Sequence, residues 1–375
     1  MEHWTINYIL CLGISVLLTG LIIPKIILIA FRRNLFDTPN ARKIHTGVVP
    51  RLGGIAFMPA LLFAFCITVG FCLQIYPDDA VSVMRQSGIG LVFLVCSLTL
   101  IYLVGLADDL VGVKYRAKFL AQVVAGILIV SSGEWVRDMH GFLWINVLPV
   151  WLGLFFTVFG IIYVINAVNL IDGIDGLASG LSAVALVWYS YVLWAAGYYG
   201  YMMLAGATLG TLIPFFYYNV FGQADKHTKI FMGDTGSLTI GLILAFLTIV
   251  VFNVPDAGIG KNYNVFIMAV SPLMLPCFDV VRVFFHRIRH GRSPFLPDKT
   301  HIHHKLLALG FHQSKALIVI VVTDMLMVLL NVLLSASMAA TWVILIDVVS
   351  LVLLNIVLTC MIHKRESRLN VRLYE

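Results

Sequence analysis

The chain has 375 residues, of which 60% are hydrophobic and only 12% charged, with a formal net charge of +6. Ordinary globular chains carry about 25% charged residues, and a mean hydropathy of +0.96 leaves too little polar surface to clothe a water-soluble body. These values exclude a secreted, disordered or nucleic-acid-binding protein.

A membrane-spanning helix takes roughly 20 residues. Apolar runs predict eleven such helices, at about 4–31, 53–75, 89–107, 119–133, 148–168, 177–197, 201–219, 237–253, 265–286, 316–334 and 338–362. The expected fold is all-α: a polytopic integral membrane protein with one transmembrane domain over 1–375. No repeat, low-complexity tract or hydrophilic second domain is visible. The first run lacks a preceding basic residue and has Lys25, Arg32 and Arg33 toward its far end, the reverse of a cleavable signal peptide. It reads as an uncleaved span with the N-terminus outside.

Charge placement fixes the remaining topology. Twenty of the 25 basic residues fall after odd-numbered spans, and the intervening connections carry Arg85, Arg137 and Lys261. By the positive-inside rule the odd connections, about 32–52, 108–118, 166–176, 220–236 and 287–315, are cytoplasmic, as is the C-terminus. The positive charge also suits an anionic leaflet or substrate. Cys11, Cys66, Cys72, Cys96, Cys277 and Cys360 lie in apolar runs without a CxxC pair or zinc-ligand spacing, and read as packing residues.

Polar residues unusual for a membrane chain gather on the cytoplasmic side. Span 3 ends in Asp108-Asp109, followed by Lys114, Arg116 and Lys118. Adjacent carboxylates at a membrane boundary imply a cation or a raised pKa if partly buried, and a solvated helix end otherwise. In the segment from Asn166 to Gly176, Asn166 and Asn169 share a helix face. There Gly173 and Gly176 loosen the chain so that Asp172 and Asp175 can reach a common cleft. Carboxamide and carboxylate oxygens are ligands a hard divalent cation prefers, whereas helix capping explains one or two of the four residues.

Asp234, between Gly233 and the Thr235-Gly236 pair, is either a plain N-cap or a carboxylate free to approach a metal or phosphate. His301, His303 and His304 suggest zinc, yet no cysteine completes a tetrahedral set, and imidazoles equally suit phosphate or sugar hydroxyls. The loop from Asp37 to Gly54, with Lys43 and His45, adds a basic anchor or is simply a positive-inside signal. Together these groups fit a metal-dependent reaction on a phosphate whose other end lies in the bilayer.

With the Asp37–Gly54 loop, Asp108-Asp109, Asn166–Gly176, Gly233-Asp234-Thr235-Gly236 and His301-Ile302-His303-His304 in this order, the sequence resembles the polyprenyl-phosphate N-acetylhexosamine-1-phosphate transferase family over essentially its whole length. The His-Ile-His-His form after Pro297-Asp298-Lys299 looks like the branch that makes undecaprenyl-diphospho-N-acetylglucosamine for O-antigen, teichoic acid or related glycans. It departs from the consecutive histidines of the peptidoglycan translocase branch.

The resemblance implies a bacterial inner-membrane enzyme with a cytoplasmic active site. The phosphate of undecaprenyl phosphate attacks the sugar-bearing phosphorus of a UDP-sugar, UDP-GlcNAc in this branch, and releases UMP with Mg²⁺ or Mn²⁺ as cofactor. The partners are the UDP-sugar, the polyprenyl phosphate and membrane lipid, without nucleic acid, and a homodimer is left open. Asp234 and Asn169 are the implied metal ligands, Asp175 faces uracil, Lys118 contacts phosphate, and Asp108 and Asp109 orient or activate the acceptor. His301, His303 and His304 hold the diphosphate and sugar, and Lys43, His45, Asn166 and Asp172 join the substrate site.

A phosphate monoester is mostly dianionic at neutral pH, its second pKa being near 6. Positioning and electrostatics therefore suit Asp109 better than a general-base role. Another UDP-N-acetylhexosamine or the peptidoglycan precursor is the near alternative. A secondary transporter is the distant one, although transporters keep their ionisable residues near the midplane.

Overall fold

The computed structural model describes residues 2–36, 48–255, 263–291 and 300–370. Thirteen α-helices account for most of them: α1 Glu2–Arg33, α2 Phe57–Ile75, α3 Pro77–Val111, α4 Tyr115–Ser131, α5 Val150–Ile171, α6 Leu177–Ala195, α7 Tyr199–Phe216, α8 Gly233–Phe252, α9 Val265–Val270, α10 Met274–Arg289, α11 Ile302–Ala308, α12 Gln313–Ser335 and α13 Ala340–Leu369. Among the described residues, ten helical segments are long and apolar enough to cross a membrane, with α9 and α10 forming one of them.

The predicted segments all form helices, with informative departures. Segment 119–133 appears as α4, whose 17 residues make about 25 Å, short of the roughly 30 Å hydrocarbon core; it is not among the ten. Segment 89–107 lies inside a helix that begins twelve residues earlier, at Pro77. Asp78, Asp79 and Arg85 read as a connection, but proline at the first helical position with acidic residues in the first turn starts a helix well. Segment 265–286 is interrupted by a 3₁₀ turn at Ser271–Leu273. Pro272 and Pro276 lack the N–H groups that a continuous helix needs, and neighbours take up the freed carbonyls: Met268 O accepts from Trp188 Nε1 at 2.9 Å and Ala269 O from Tyr189 Oη at 2.8 Å.

Helix α8 is the axis of the bundle. It is buried along nearly its whole length, as expected of a helix apolar all round. Its 20 residues span about 30 Å, and polar contacts mark both ends. At one end Asp234 meets Lys118 of α4 and Asn169 of α5. At the other, Asn253 and Tyr201 both donate to Glu134, just beyond the end of α4.

Candidate active site

The N-terminus of α8 forms where three other segments converge. The backbone following the first loop pairs with the segment entering α8. Phe231 N donates to Pro50 O at 2.9 Å, Gly53 N to Phe231 O at 2.9 Å and Gly54 N to Met232 O at 2.8 Å. Asp109, in the last turn of α3, then caps the helix from outside it. Its Oδ1 accepts from the Asp234 amide at 2.8 Å, and its Oδ2 accepts from the Thr235 amide at 2.9 Å and the Thr235 hydroxyl at 2.5 Å. Amides at a helix start lack intrahelical partners, so the carboxylate satisfies two of them and complements the helix dipole. Both Asp109 oxygens are thereby occupied.

Its neighbour Asp108 faces differently. Asp108 Oδ1 accepts from Val113 N at 2.7 Å, and Oδ2 accepts from Lys118 Nζ at 3.1 Å. The same ammonium group donates to Asp234 Oδ2 at 2.6 Å. Asn169 Nδ2 lies 3.2 Å from Asp234 Oδ1 and 2.8 Å from Ser237 Oγ. Asp108, Lys118, Asn169 and Asp234 are thus one connected group. Asn166, one turn before Asn169, turns elsewhere and donates to Gln122 Oε1 and Ile162 O, both at 2.7 Å.

Beside this group opens a polar cleft of about 330 Å³, lined by Arg51, Asn169, Asp172, Asp175, Asp234 and His304 among others. Its wall is the turn between α5 and α6, where Gly176 adopts φ +79°, a conformation that favours glycine. Asn219 pins this turn, accepting from Gly176 N at 2.6 Å and donating to Ile230 O at 2.8 Å. Asp175 is paired with Lys229 at 2.5 Å. Asp172 reaches solvent, yet protein crowds its carboxyl. That desolvation, then the charges of Asp175, Asp234 and Asp109, push it up to about 7 against the opposing pull of Arg51. A larger groove of about 930 Å³ between α6, α7 and α12 is almost wholly apolar, so the titratable groups concentrate in the smaller cleft.

The three histidines take different places, as their spacing on a helix requires. His304 lines the cleft. His303 is buried against the cleft turn, where a Cβ on residue 173 would stand 2.3 Å from its Nε2 and would force the imidazole ring to move. Burial, then the neighbouring His304 and His301, hold the His303 imidazole well below its usual range, so it is neutral at physiological pH. His301 bonds through Nδ1 to Asp279 of α10 at 2.7 Å. Lys43, His45 and the Pro297–Lys299 stretch lie outside the described residues.

Sequence reasoning singled out Asp108, Asp109, Asp234 and the partners Lys118 and Asn169 but missed four supporting residues. Thr235, Ser237, Asn219 and Asp279 contribute through tertiary contacts alone. Asp279 carried one legible signal, being an acidic residue inside an apolar span.

The match to a family model, glycosyl transferase family 4, covers residues 91–252, which include Asp108, Asp109, Lys118, Asn169 and Asp234. The chain is 30% identical over 307 residues to the undecaprenyl-phosphate alpha-N-acetylglucosaminyl 1-phosphate transferase of Yersinia pestis, covering 81% of this chain and 78% of the relative. It is 29% identical over 323 residues to the Escherichia coli K12 protein of the same name, covering 85% and 82%. It is also 29% identical over 324 residues to the probable undecaprenyl-phosphate N-acetylglucosaminyl 1-phosphate transferase of Bacillus subtilis, covering 85% and 83%.

Proposed function

The chain belongs to glycosyl transferase family 4, and on that premise we propose that it transfers N-acetylglucosamine-1-phosphate from UDP-GlcNAc to undecaprenyl phosphate. The products are undecaprenyl-diphospho-GlcNAc and UMP, the first lipid-linked intermediate of a cell-envelope polysaccharide. One observation carries the reading: a cleft at the bundle end joins Asp234, Asn169, Lys118 and Asp108 to a wall holding Asp172, Asp175 and His304.

In this reading an oxygen of the acceptor phosphate attacks the sugar-bearing phosphorus, and the bond from that phosphorus to the bridging oxygen of UMP breaks. The acceptor arrives as a dianion, so no side chain has to take its proton. Occupied on both oxygens by the start of α8, Asp109 acts by holding Asp234 in place. Lys118, shared between Asp108 and Asp234, supplies positive charge to a phosphate, and Asp108 orients that ammonium group. His304 reaches the diphosphate from the cleft wall, and Asp175 with Lys229 and Asp172 borders the nucleotide. Lys43 and His45 are assigned to substrate binding by the family resemblance alone.

Asp234 and Asn169 fit a divalent cation as an oxygen-donor pair, once the Asn169 amide turns its oxygen inward. Among the described residues no three His, Cys, Asp or Glu side chains form a cage, in keeping with magnesium, which is usually held by one or two carboxylates together with substrate phosphates. When bound, Mg²⁺ or Mn²⁺ neutralises diphosphate charge.

The chain is one domain with eleven crossings in the bacterial cytoplasmic membrane, N-terminus outside, and C-terminus and cleft facing the cytoplasm. Two observations support this topology. Basic residues follow the odd spans, and α4 with the turn after it reaches from Asp234 to Asn253, the full height of α8. A cysteine at Lys114 should stay unreactive to impermeant thiol reagent in intact cells; labelling there would reverse the orientation.

The function is tested by incubating purified protein with undecaprenyl phosphate, Mg²⁺ and a panel of UDP-sugars. UMP should be released with UDP-GlcNAc and only when the lipid is present. UMP release with another UDP-N-acetylhexosamine alone would reassign the donor, and none with any donor would overturn the reading.

A further inference from the structure

The histidine helix α11 has to be held against the cleft, and its holder lies on α10. Asp279 is 3% exposed, and both its oxygens are engaged. Oδ2 accepts from His301 Nδ1 at 2.7 Å, while Oδ1 accepts from Ile302 N at 3.1 Å and from Arg282 Nη2 at 2.7 Å. Arg282 also donates to Thr300 O at 2.5 Å. One carboxylate and one guanidinium therefore grip three consecutive residues, Thr300, His301 and Ile302. A carboxylate paired in this way only accepts, so Nδ1 of His301 carries the proton that joins them.

The grip is transmitted toward the cleft by packing. The His301 ring lies parallel to that of His303, 6° apart in plane with centroids 5.7 Å apart, and His303 lies 4.2 Å from His304. His304 lines the cleft. From behind, Lys305 Nζ donates to Asn355 Oδ1 at 2.5 Å and to Thr359 Oγ1 at 2.7 Å on α13. That contact fixes the depth of α11, whereas the His301 ring, and through it the stack, is set from α10.

We propose that Asp279, braced by Arg282, is a positioning residue for sugar-1-phosphate transfer: it fixes the His301 ring and the first turn of α11, and so aims His304 into the cleft. The proposal rests on the reaction assigned above. It differs from a purely structural role in one respect, because an anchor for the chain alone would matter equally with or without the His301 imidazole. An Asp279 that acts through the ring loses most of its effect once the ring is gone, its remaining direct hold on α11 being the Ile302 amide.

The test is a double-mutant cycle on the purified full-length protein, with Asp279→Asn, His301→Gln and the pair. Each is assayed for kcat and KM with UDP-GlcNAc and undecaprenyl phosphate, and for UMP affinity by calorimetry. Partners that orient a working histidine typically contribute about 10- to 100-fold. Asp279→Asn should therefore lower kcat by about that factor while KM and UMP affinity stay within about threefold, and in the His301→Gln background it should cost less than about threefold. Equal losses in both backgrounds, wild-type kcat in Asp279→Asn, or UMP affinity falling in step with kcat would overturn the proposal. If Asp279→Asn lacks the cooperative thermal unfolding of the wild type and so has not folded, Asp279→Glu, which keeps the charge, carries the same comparison. A wild-type protein that releases no UMP overturns the assigned reaction and the proposal together; an active wild type with an additive cycle overturns the proposal alone.

Discussion

The two ends of α8 both hold partly buried polar groups, but one closes on neutral donors while the other gathers charge. At the Asn253 end, Glu134 accepts one hydrogen bond per oxygen, from Tyr201 Oη at 2.9 Å and Asn253 Nδ2 at 3.0 Å, and so ties α7 and α8 to the end of α4. Nearby, His140 Nε2 meets Phe252 O at 2.9 Å and Asn264 Nδ2 donates to His140 O at 2.8 Å. These are self-contained networks that close a bundle. At the Asp234 end, the carboxyl groups of Asp108, Asp109, Asp172, Asp175 and Asp234 meet the cationic side chains Lys118, Lys229 and Arg51. Among the described residues these five acids outnumber the three cations even with Asp172 partly protonated, and like charges in a partly desolvated site are costly. Structural polar clusters satisfy themselves. A cluster in deficit is arranged for something that arrives from outside, which in the proposed function is a divalent cation accompanying a diphosphate.

Removing the central carboxylate should separate the two ends most sharply. Asp234→Ala is expected to lower UMP release by about 10³-fold or more, the scale set by loss of a preorganised charged group, and excess EDTA should abolish wild-type turnover. Glu134→Gln, which keeps the packing and one of the two accepted hydrogen bonds, should leave kcat within about twofold. If Glu134→Gln disables turnover as fully as Asp234→Ala, the distinction between a reacting end and a closing end fails.

The adjacent acids refine the contrast within the reacting end. Asp108→Asn and Asp109→Asn should each lower the rate at every pH, leaving the acidic limb near pH 6 where the acceptor phosphate ionises. A limb displaced by more than about one unit in Asp109→Asn would restore a general-base role. Asp109→Ala should in addition destabilise the protein by about 1–3 kcal/mol, because it strands the Asp234 and Thr235 amides. Thermal unfolding of the two alanine variants measures this, and equal melting temperatures for Asp108→Ala and Asp109→Ala would contradict the capping role.

How far this was legible beforehand follows from the kind of interaction involved. Apolar period and length located every long helix, because lipid exposure imposes composition directly on the chain. They missed the start of α3 at Pro77, where charged residues occupy a first helical turn, and the break at Ser271–Leu273, which depends on Trp188 and Tyr189 of another helix. In the same way, acidic doublets and glycine-flanked carboxylates pointed to Asp108, Asp109, Asp172, Asp175 and Asp234. Nothing in their spacing told Asp108 from Asp109, since one bonds Lys118 and the other the start of α8, a segment 125 residues away. The i, i+3 spacing that grouped Asn166 with Asn169 could not reveal that Gln122 of α4 draws Asn166 to itself.

The smallest expected effect concerns Asp172. Its carboxyl is raised to about 7 in the folded protein from an ordinary value of 3.8, so between those values the folded state holds a proton that the unfolded state has released. Stability relative to a neutral residue therefore falls as pH rises through that window. Asp172→Asn should gain on the wild type in melting temperature from pH 5 to pH 7 and level off above, with solvent access keeping the gain to no more than about 3 °C. A difference that stays flat from pH 5 to pH 7 would mean that Asp172 is ionised in both the folded and unfolded states there, as though Arg51 dominated its surroundings.

The charge deficit at the Asp234 end is assigned to one bond-making step, and the fate of a single phosphorus atom decides it. Purified protein is given undecaprenyl phosphate, Mg²⁺ and UDP-GlcNAc labelled with ³²P at the sugar-bearing phosphorus. Transfer of the sugar phosphate predicts that the label moves into the organic-extractable lipid with unlabelled UMP as co-product, and that Asp234→Ala leaves it in the donor. Label retained in released UDP would show transfer of the sugar without its phosphate, and label that never leaves the donor would show no transfer; either result contradicts the function assigned to this cleft.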